Sequence, residues 1–221
     1  MQQGLLQQFH QLPLLERAAR CAVGCWFNIE QGLCNAVQGA EGPNQIFPTG
    51  WFKYWGVART FRRKGNRQEI CQLLLDTRPQ LMTALPNTLR WGLVQQLSAQ
   101  IKPINCDIRP TSLVSKFAFS CSPVTFTPYD RIVRGQFGTS PHDYLAYRNA
   151  FAQQQVNIEQ QLGAFTRPGG QVGLAAQDLP LNGNVMNQQL FVVRTTDWYL
   201  LLQGRFDPIA AKNPVYDRPI I

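Results

Sequence analysis

Apolar residues recur every three to four positions along most of this 221-residue chain, and this helical spacing constrains its fold more than any other feature. The spacing predicts helices up to about residue 27 and over about 67–77, 87–101, 111–121, 140–162 and 185–204. Only residues 190–194 have a pattern that would also suit a short strand. We therefore predict a mostly α fold, built as a compact multi-helix domain with long functional loops.

Two of the predicted helix starts are marked by capping sequences. Residues 127–130, TPYD, and 140–143, SPHD, each place a hydroxyl residue first, proline second and an acid fourth. A hydroxyl at the N-cap accepts a backbone N–H, proline suits the first helical position, and an acid in the first turn favours the helix dipole. The pattern predicts N-caps at Thr127 and Ser140 and places Asp130 inside the first turn of its helix.

Two stretches rich in glycine and proline, 28–50 and about 163–184, interrupt the helical pattern. Loops of this length are uncommon in compact domains and are usually functional. We expect residues 1–221 to form a single α-helical domain. Two lobes, 1–105 and 106–221, are the alternative.

Cysteine and histidine are not spaced as metal ligands. None of the six cysteines forms a CxxC pair, and neither histidine lies near a cysteine in the sequence. The opening MQQGLLQQFHQLPLLER has no basic leader before an apolar stretch, and no apolar run approaches the ~20 residues of a membrane helix. We expect free buried thiols in a cytoplasmic monomer, with no metal, cofactor or membrane partner.

The basic residues are concentrated in one short stretch. The chain has 21 Lys and Arg against 13 Asp and Glu, and residues 53–67 contain six of the bases with no acid among them. Aromatic rings are interspersed with these bases at Trp51, Phe52, Tyr54, Trp55 and Phe61. Basic groups neutralise phosphates and flat rings stack on bases, so this pattern favours a nucleic-acid partner. The alternative is a solvated basic turn followed by aromatic residues of the core.

Residues 111–137, TSLVSKFAFSCSPVTFTPYDRIVRGQF, combine an apolar helix that carries Lys116, a proline-containing turn and a basic helix start at Asp130. This layout resembles the core of helix-hairpin-helix DNA glycosylases, and it also resembles uncharacterised bacterial relatives in which an Arg-x-x-Asp-Trp motif follows, here at 194–198. The chain lacks the Gly-x-Gly turn of the family's hairpin and the four-cysteine iron–sulfur motif of some members.

The resemblance implies an activity and roles for individual residues. It implies that the protein flips a modified or damaged base out of DNA and hydrolyses its N-glycosidic bond, in repair or in defence against phages with modified cytosine. Asp130 would stabilise the cationic sugar and activate water, and Lys116 would attack the sugar in members that form a Schiff base. The DNA-binding residues are expected to be Lys53, Arg59, Arg62, Arg63, Lys64, Arg67, Arg131 and Arg134. The base pocket is expected to contain Asn28, Glu30, Trp51, Phe52, Tyr54 and Trp55.

The same residues have other interpretations, which the sequence leaves open. Asp130 would equally suit a helix start, and Lys116 a surface or phosphate-binding position. Arg194 and Asp197, three apart on one helix, would form an exposed ion pair. For the whole protein, the alternative function is a non-catalytic DNA-binding or interaction protein that uses the basic aromatic stretch 51–67. A metal-dependent nuclease ranks below both, because the acids are scattered.

Overall fold

A computed structural model describes residues 11–57, 66–83, 86–105, 109–165, 186 and 188–204. Within these ranges the chain is mostly helical and contains no strand, which confirms the predicted helical class. Residues 190–194 are helical, so the short strand considered for them is wrong. A π-helical turn at Trp26–Glu30 joins the first two helices. The α-helices are α1 (Leu14–Cys25), α2 (Gln31–Gln38), α3 (Trp51–Tyr54), α4 (Arg67–Met82), α5 (Asn87–Ile104), α6 (Thr111–Cys121), α7 (Arg131–Phe137), α8 (Tyr144–Phe165) and α9 (Gln188–Gln203).

The chain divides into two compact units. The terminal unit comprises residues 1–29 and 150–221, and the central unit comprises residues 30–149. The prediction of a single domain, with lobes meeting near residue 105 as its alternative, stays a prediction. Since α8 begins at Tyr144, its first turns belong to the central unit and the rest of it to the terminal unit.

The core of the terminal unit forms where α1 packs against α9. Small side chains on α1, namely Ala18, Cys21, Ala22 and Cys25, surround Trp198 of α9. Small residues let two helices approach closely, and the large indole then fills the space between them.

Arg194 and Asp197 of α9 form a buried ion pair, and the expectation of an exposed pair is wrong. Both residues are only 2% exposed. Burial of a helix on several sides encloses polar side chains together with apolar ones, and helical spacing alone does not reveal this. A charge inside a protein is tolerated only when it is paired and hydrogen-bonded, so this pair depends on both partners.

The central unit is built around α6, on which α2, α4 and α5 pack. Every residue of α6 except Ser112 is buried, including Lys116. A helix that is buried on all sides is the centre of a helical assembly rather than its surface. This helix positions the candidate site described below.

Two details of the helix prediction are wrong because burial outweighs local preference. Residues 31–38 form α2 instead of the start of a loop, since Leu33 and Val37 are buried in spite of Gly32. On α5 the helical spacing of Leu89, Leu93, Leu97 and Ile101 predicts one buried stripe, but Leu89 is 61% exposed, and Trp91 and Val94 are buried together with Leu97 and Ile101.

The five cysteines within the described ranges are free and buried, as predicted, while Cys106 lies outside them. Burial raises the pKa of the Cys21 thiol to about 12, because the thiolate would lose its hydration. Burial likewise raises the pKa of Cys121. These thiols are therefore protonated and unreactive at neutral pH.

Among the described helices, none is long and apolar enough to span a membrane.

We predict that Asp197→Asn lowers the free energy of unfolding by about 3–5 kcal/mol, because it removes a charge that balances the buried guanidinium of Arg194. The control is Glu16→Gln, which breaks the less buried i,i+4 pair with Arg20 and costs about 0.5 kcal/mol. Urea unfolding followed by circular dichroism measures both changes. Equal losses in the two variants would contradict a structural role for the buried pair.

Candidate functional site

Asp130 is the N-cap of α7, and the prediction of Thr127 at this position is wrong. The Asp130 backbone is extended, and its Oδ1 atom accepts the N–H of Ile132 at 2.8 Å. Asp143 takes the same role at the start of α8, where its Oδ1 accepts the N–H of Ala146 at 2.9 Å. In both sequences the acid caps the helix and the preceding hydroxyl does not, so each helix begins three residues later than the pattern predicts.

The helix at Asp130 begins late because side chains hold residues 127–129 in a conformation that is not helical. The Ser115 hydroxyl accepts the N–H of Tyr129 at 2.9 Å, and the Tyr147 hydroxyl donates to the carbonyl of Pro128 at 2.8 Å. The Tyr144 hydroxyl accepts the N–H of Thr127 and donates to its carbonyl. These partners satisfy the backbone groups that a helix would otherwise use. They place Asp130 at the end of a fixed segment.

Lys116 and Asp130, fourteen residues apart in the sequence, meet at the surface of the central unit. The Nζ atom of Lys116 lies 4.0 Å from Oδ2 of Asp130 and donates a hydrogen bond of 2.8 Å to the carbonyl of Trp55. The Lys116 side chain is 8% exposed and that of Asp130 is 33% exposed. The site is therefore a carboxylate open to solvent with a buried cation beside it.

The aromatic helix α3 is attached to the same part of α6. The indole N–H of Trp51 donates to the Ser120 hydroxyl, which donates in turn to the carbonyl of Lys116. Trp51, Tyr54 and Trp55 are buried, whereas Phe52 is only half-buried. Three of the four rings expected in a base pocket thus lie within the core beside Lys116. The buried indole N–H of Trp55 has no hydrogen-bond partner among the described residues.

Two further residues expected in the base pocket fall in different units. Glu30, in the central unit, is buried and its carboxylate accepts a hydrogen bond from the Tyr54 hydroxyl. Asn28, in the terminal unit, is exposed. The structure therefore brings Glu30 to Tyr54, but through a contact that the sequence did not indicate.

Of the basic residues expected to bind DNA, four are exposed or half-buried in the described ranges, and the other four, Arg59, Arg62, Arg63 and Lys64, lie outside them. Lys53 and Arg131 are exposed. The guanidinium of Arg67 lies 4.9 Å from the centre of the Phe52 ring, and that of Arg134 lies 5.8 Å from the Tyr129 ring. Both geometries are those of cation–π contacts.

Arg67 also borders an open cleft of about 270 Å³ on the central unit. The other residues that line it are Pro43, Asn44, Phe47, Gln68 and Cys71. No group of three or more His, Cys, Asp or Glu side chains that would hold a metal ion occurs within the described ranges.

Ser115 is the residue of this site that sequence reasoning did not assign to a role. Its hydroxyl is fully buried, accepts the N–H of Tyr129 and donates to the carbonyl of Ser112. Because Ser115 precedes Lys116 and Tyr129 precedes Asp130, this one hydrogen bond aligns the two charged residues. A serine directly before the lysine of a buried helix is the only signal that the sequence offers.

We predict that Ser115→Ala lowers the free energy of unfolding by about 1–3 kcal/mol, because the buried N–H of Tyr129 then lacks its acceptor. The matched control is Ser112→Ala on the same helix, which changes stability by less than about 0.5 kcal/mol because Ser112 is the one residue of α6 that is not buried. Thermal or urea unfolding measures both. An equal, small effect at the two serines would show that Ser115 does not hold the extended segment.

Comparisons with protein-family models, with curated proteins and with solved structures each find no significant match for this chain. The resemblance to helix-hairpin-helix DNA glycosylases thus stays a prediction from the sequence. The assignment of Asp130 and Lys116 rests on that prediction and on the contacts described above.

Proposed function

We propose that this protein is a DNA glycosylase that hydrolyses the N-glycosidic bond of a modified or damaged base and uses Asp130 as its essential carboxylate. The observation that supports this most directly is the pairing of Asp130 with Lys116, 4.0 Å apart. These are the two residues to which the sequence resemblance assigns chemistry.

The surroundings of Asp130 suit the reaction. Loss of the base builds positive charge on the sugar, and one carboxylate near the anomeric carbon stabilises that charge and orients or deprotonates the attacking water. One oxygen of Asp130 is fixed by the N–H of Ile132, and the other lies toward Lys116. A carboxylate that is hydrogen-bonded at one oxygen and has a cation near the other is oriented before the substrate binds.

We assign Lys116 to the orientation of Asp130 and not to attack on the sugar. Its ammonium donates to the carbonyl of Trp55, and its side chain is almost fully buried. A lysine nucleophile must be a neutral amine that reaches the anomeric carbon. In this arrangement, Lys116 would first have to leave both Trp55 and Asp130.

The half-buried ring of Phe52, with Lys53 and Arg67 near it, supports DNA as the substrate. Exposed cations neutralise phosphates, and Arg67 and Lys53 are both exposed. Trp55 contributes its backbone carbonyl to Lys116, and its ring is buried beside that lysine.

We predict that Asp130→Asn reduces the rate of base release by about 10²–10⁴-fold. Asparagine also accepts the N–H of Ile132 and keeps the helix cap, but the buried ammonium of Lys116 loses its opposite charge, so circular dichroism first checks that the variant is folded. The matched control is Asp143→Asn, which makes the same change at the other capping aspartate and leaves the rate unchanged. Oligonucleotides with damaged bases and with modified cytosines are incubated with each variant, and alkali then converts abasic sites into strand breaks. Full activity of Asp130→Asn, or no breaks with any substrate, contradicts the proposal.

A separate prediction concerns Lys116. Borohydride added during the reaction reduces a Schiff base to a stable protein–DNA adduct, so an enzyme that uses water alone forms none. We expect no adduct with the parent protein, and gel electrophoresis of the mixture tests this. An adduct that the parent forms and Lys116→Gln does not form would show that Lys116 attacks the sugar.

The second candidate function is non-catalytic DNA binding. The exposed side chains of Lys53, Arg67 and Arg131 support it, because exposed cations neutralise phosphates whether or not a carboxylate acts on the sugar. In that case, binding would weaken steeply with salt, and Asp130→Asn would change nothing. The base-release experiment therefore separates the two functions.

A further inference from the structure

His142 lies in a hydrogen-bond network that joins it to α6 and to the residue before Asp130. Its backbone N–H donates to the Tyr129 hydroxyl at 3.0 Å, and its ring Nδ1 lies 3.0 Å from the Thr111 hydroxyl. The Tyr129 hydroxyl donates in turn to the carbonyl of Ser140 at 3.1 Å. The imidazole is thus fixed at one nitrogen by the first residue of α6.

His142 has an unusual backbone, with a φ of 71°. Left-handed backbone in a residue other than glycine is strained and persists where its surroundings hold it, as in functional sites. The hydrogen bonds to Tyr129 and Thr111 provide that restraint. The His142 side chain remains partly exposed.

Two arginines lie near this histidine. Arg134 approaches the face of Tyr129, whose hydroxyl His142 binds, and Arg109 is two residues before Thr111, which His142 also binds. Partial burial lowers the pKa of His142 most, and the positive charges of Arg109 and Arg134 lower it further. Arg109 is exposed and Arg134 is half-buried, so both have access to solvent.

We propose that Arg109, Arg134 and His142 form a binding site for a backbone phosphodiester of DNA beside Asp130. The two guanidiniums provide charge and several donors, and the ring nitrogen that Thr111 leaves free provides one more. Arg134 is one turn from Asp130, since its N–H donates to the carbonyl of Asp130. This inference rests on the proposed function, in which the bound phosphate would place the adjacent sugar at Asp130.

The site predicts how DNA affinity depends on pH. The imidazole of His142 is mostly neutral at pH 7.5, because its pKa lies below the ordinary value near 6.5. A bound phosphodiester stabilises the charged imidazole and offsets the positive charges of Arg109 and Arg134, which disfavour it. DNA binding is therefore accompanied by uptake of a proton. The neighbouring carboxylate of Asp143 is committed to the N–H of Ala146. Affinity should therefore rise as the pH falls from 7.5 through the pKa of His142.

The test uses a short fluorescent duplex of unmodified DNA, so that the result does not depend on base release. Fluorescence anisotropy gives the affinity of the parent, Arg109→Gln, Arg134→Gln and His142→Asn at several salt concentrations and pH values. Asparagine is chosen because it tolerates left-handed backbone. Arg20→Gln in the terminal unit is the control, because it removes one positive charge elsewhere.

Each arginine variant should reduce the slope of log affinity against log salt by at most about 0.9, the value for one phosphate contact on duplex DNA, because the other arginine still faces the same phosphodiester. His142→Asn should remove the increase in affinity at low pH, and Arg20→Gln should keep both the slope and the pH effect. Parent-like slopes in both arginine variants overturn the proposal, even if base release by Asp130 is confirmed. Inorganic phosphate is titrated with each protein as well, and broadening of its phosphorus NMR line reports binding of the free ion. Arginine variants that lose this broadening but keep the parent salt slope for DNA also overturn the proposal, because the site then binds only the free ion.

Discussion

The burial of Lys116 in the centre of α6 is the constraint on which the structure of the central unit depends. An ammonium group removed from water is strongly destabilising unless hydrogen bonds and an opposite charge offset the loss of hydration. The carbonyl of Trp55 and the carboxylate of Asp130 supply these partners. As a result, the aromatic helix α3 and the start of α7 both lie against α6, and the buried lysine also organises the candidate site.

The sequence predicts much of the helical architecture, because the spacing of apolar residues depends on the periodicity of the helix itself. The prediction from sequence fails where tertiary contacts determine which side chains are buried and where a helix begins. Leu89 continues an apolar stripe but is exposed, since the neighbours of α5 cover the face of Trp91. Threonine is a residue type that often caps helices, yet the hydrogen bonds between Tyr144 and the backbone of Thr127 keep Thr127 in a segment that precedes the helix. No local pattern contains the information that a tyrosine seventeen residues later will bond to this backbone.

The candidate site is likewise predictable from the sequence only in part. The resemblance to a known family singles out Asp130 and Lys116, but nothing in the sequence shows that they meet or that Ser115 aligns them. The dense aromatic stretch predicts an interface, and the structure places most of its rings in the core instead, since large apolar rings gain more from burial than from exposure. Of the three residues proposed to bind phosphate, the sequence singles out Arg134 but not Arg109 or His142, because the three come from separate segments.

The central claim is that Asp130 takes part in cleavage of the bond between base and sugar. Mass spectrometry of the small molecules released from DNA that contains damaged bases and modified cytosines tests this most directly. Hydrolysis at the glycosidic bond releases a free base and leaves the sugar–phosphate backbone intact, so the account predicts free base from the parent protein and none from Asp130→Asn. Release of nucleotides, or of free base at the same rate from both proteins, would contradict it.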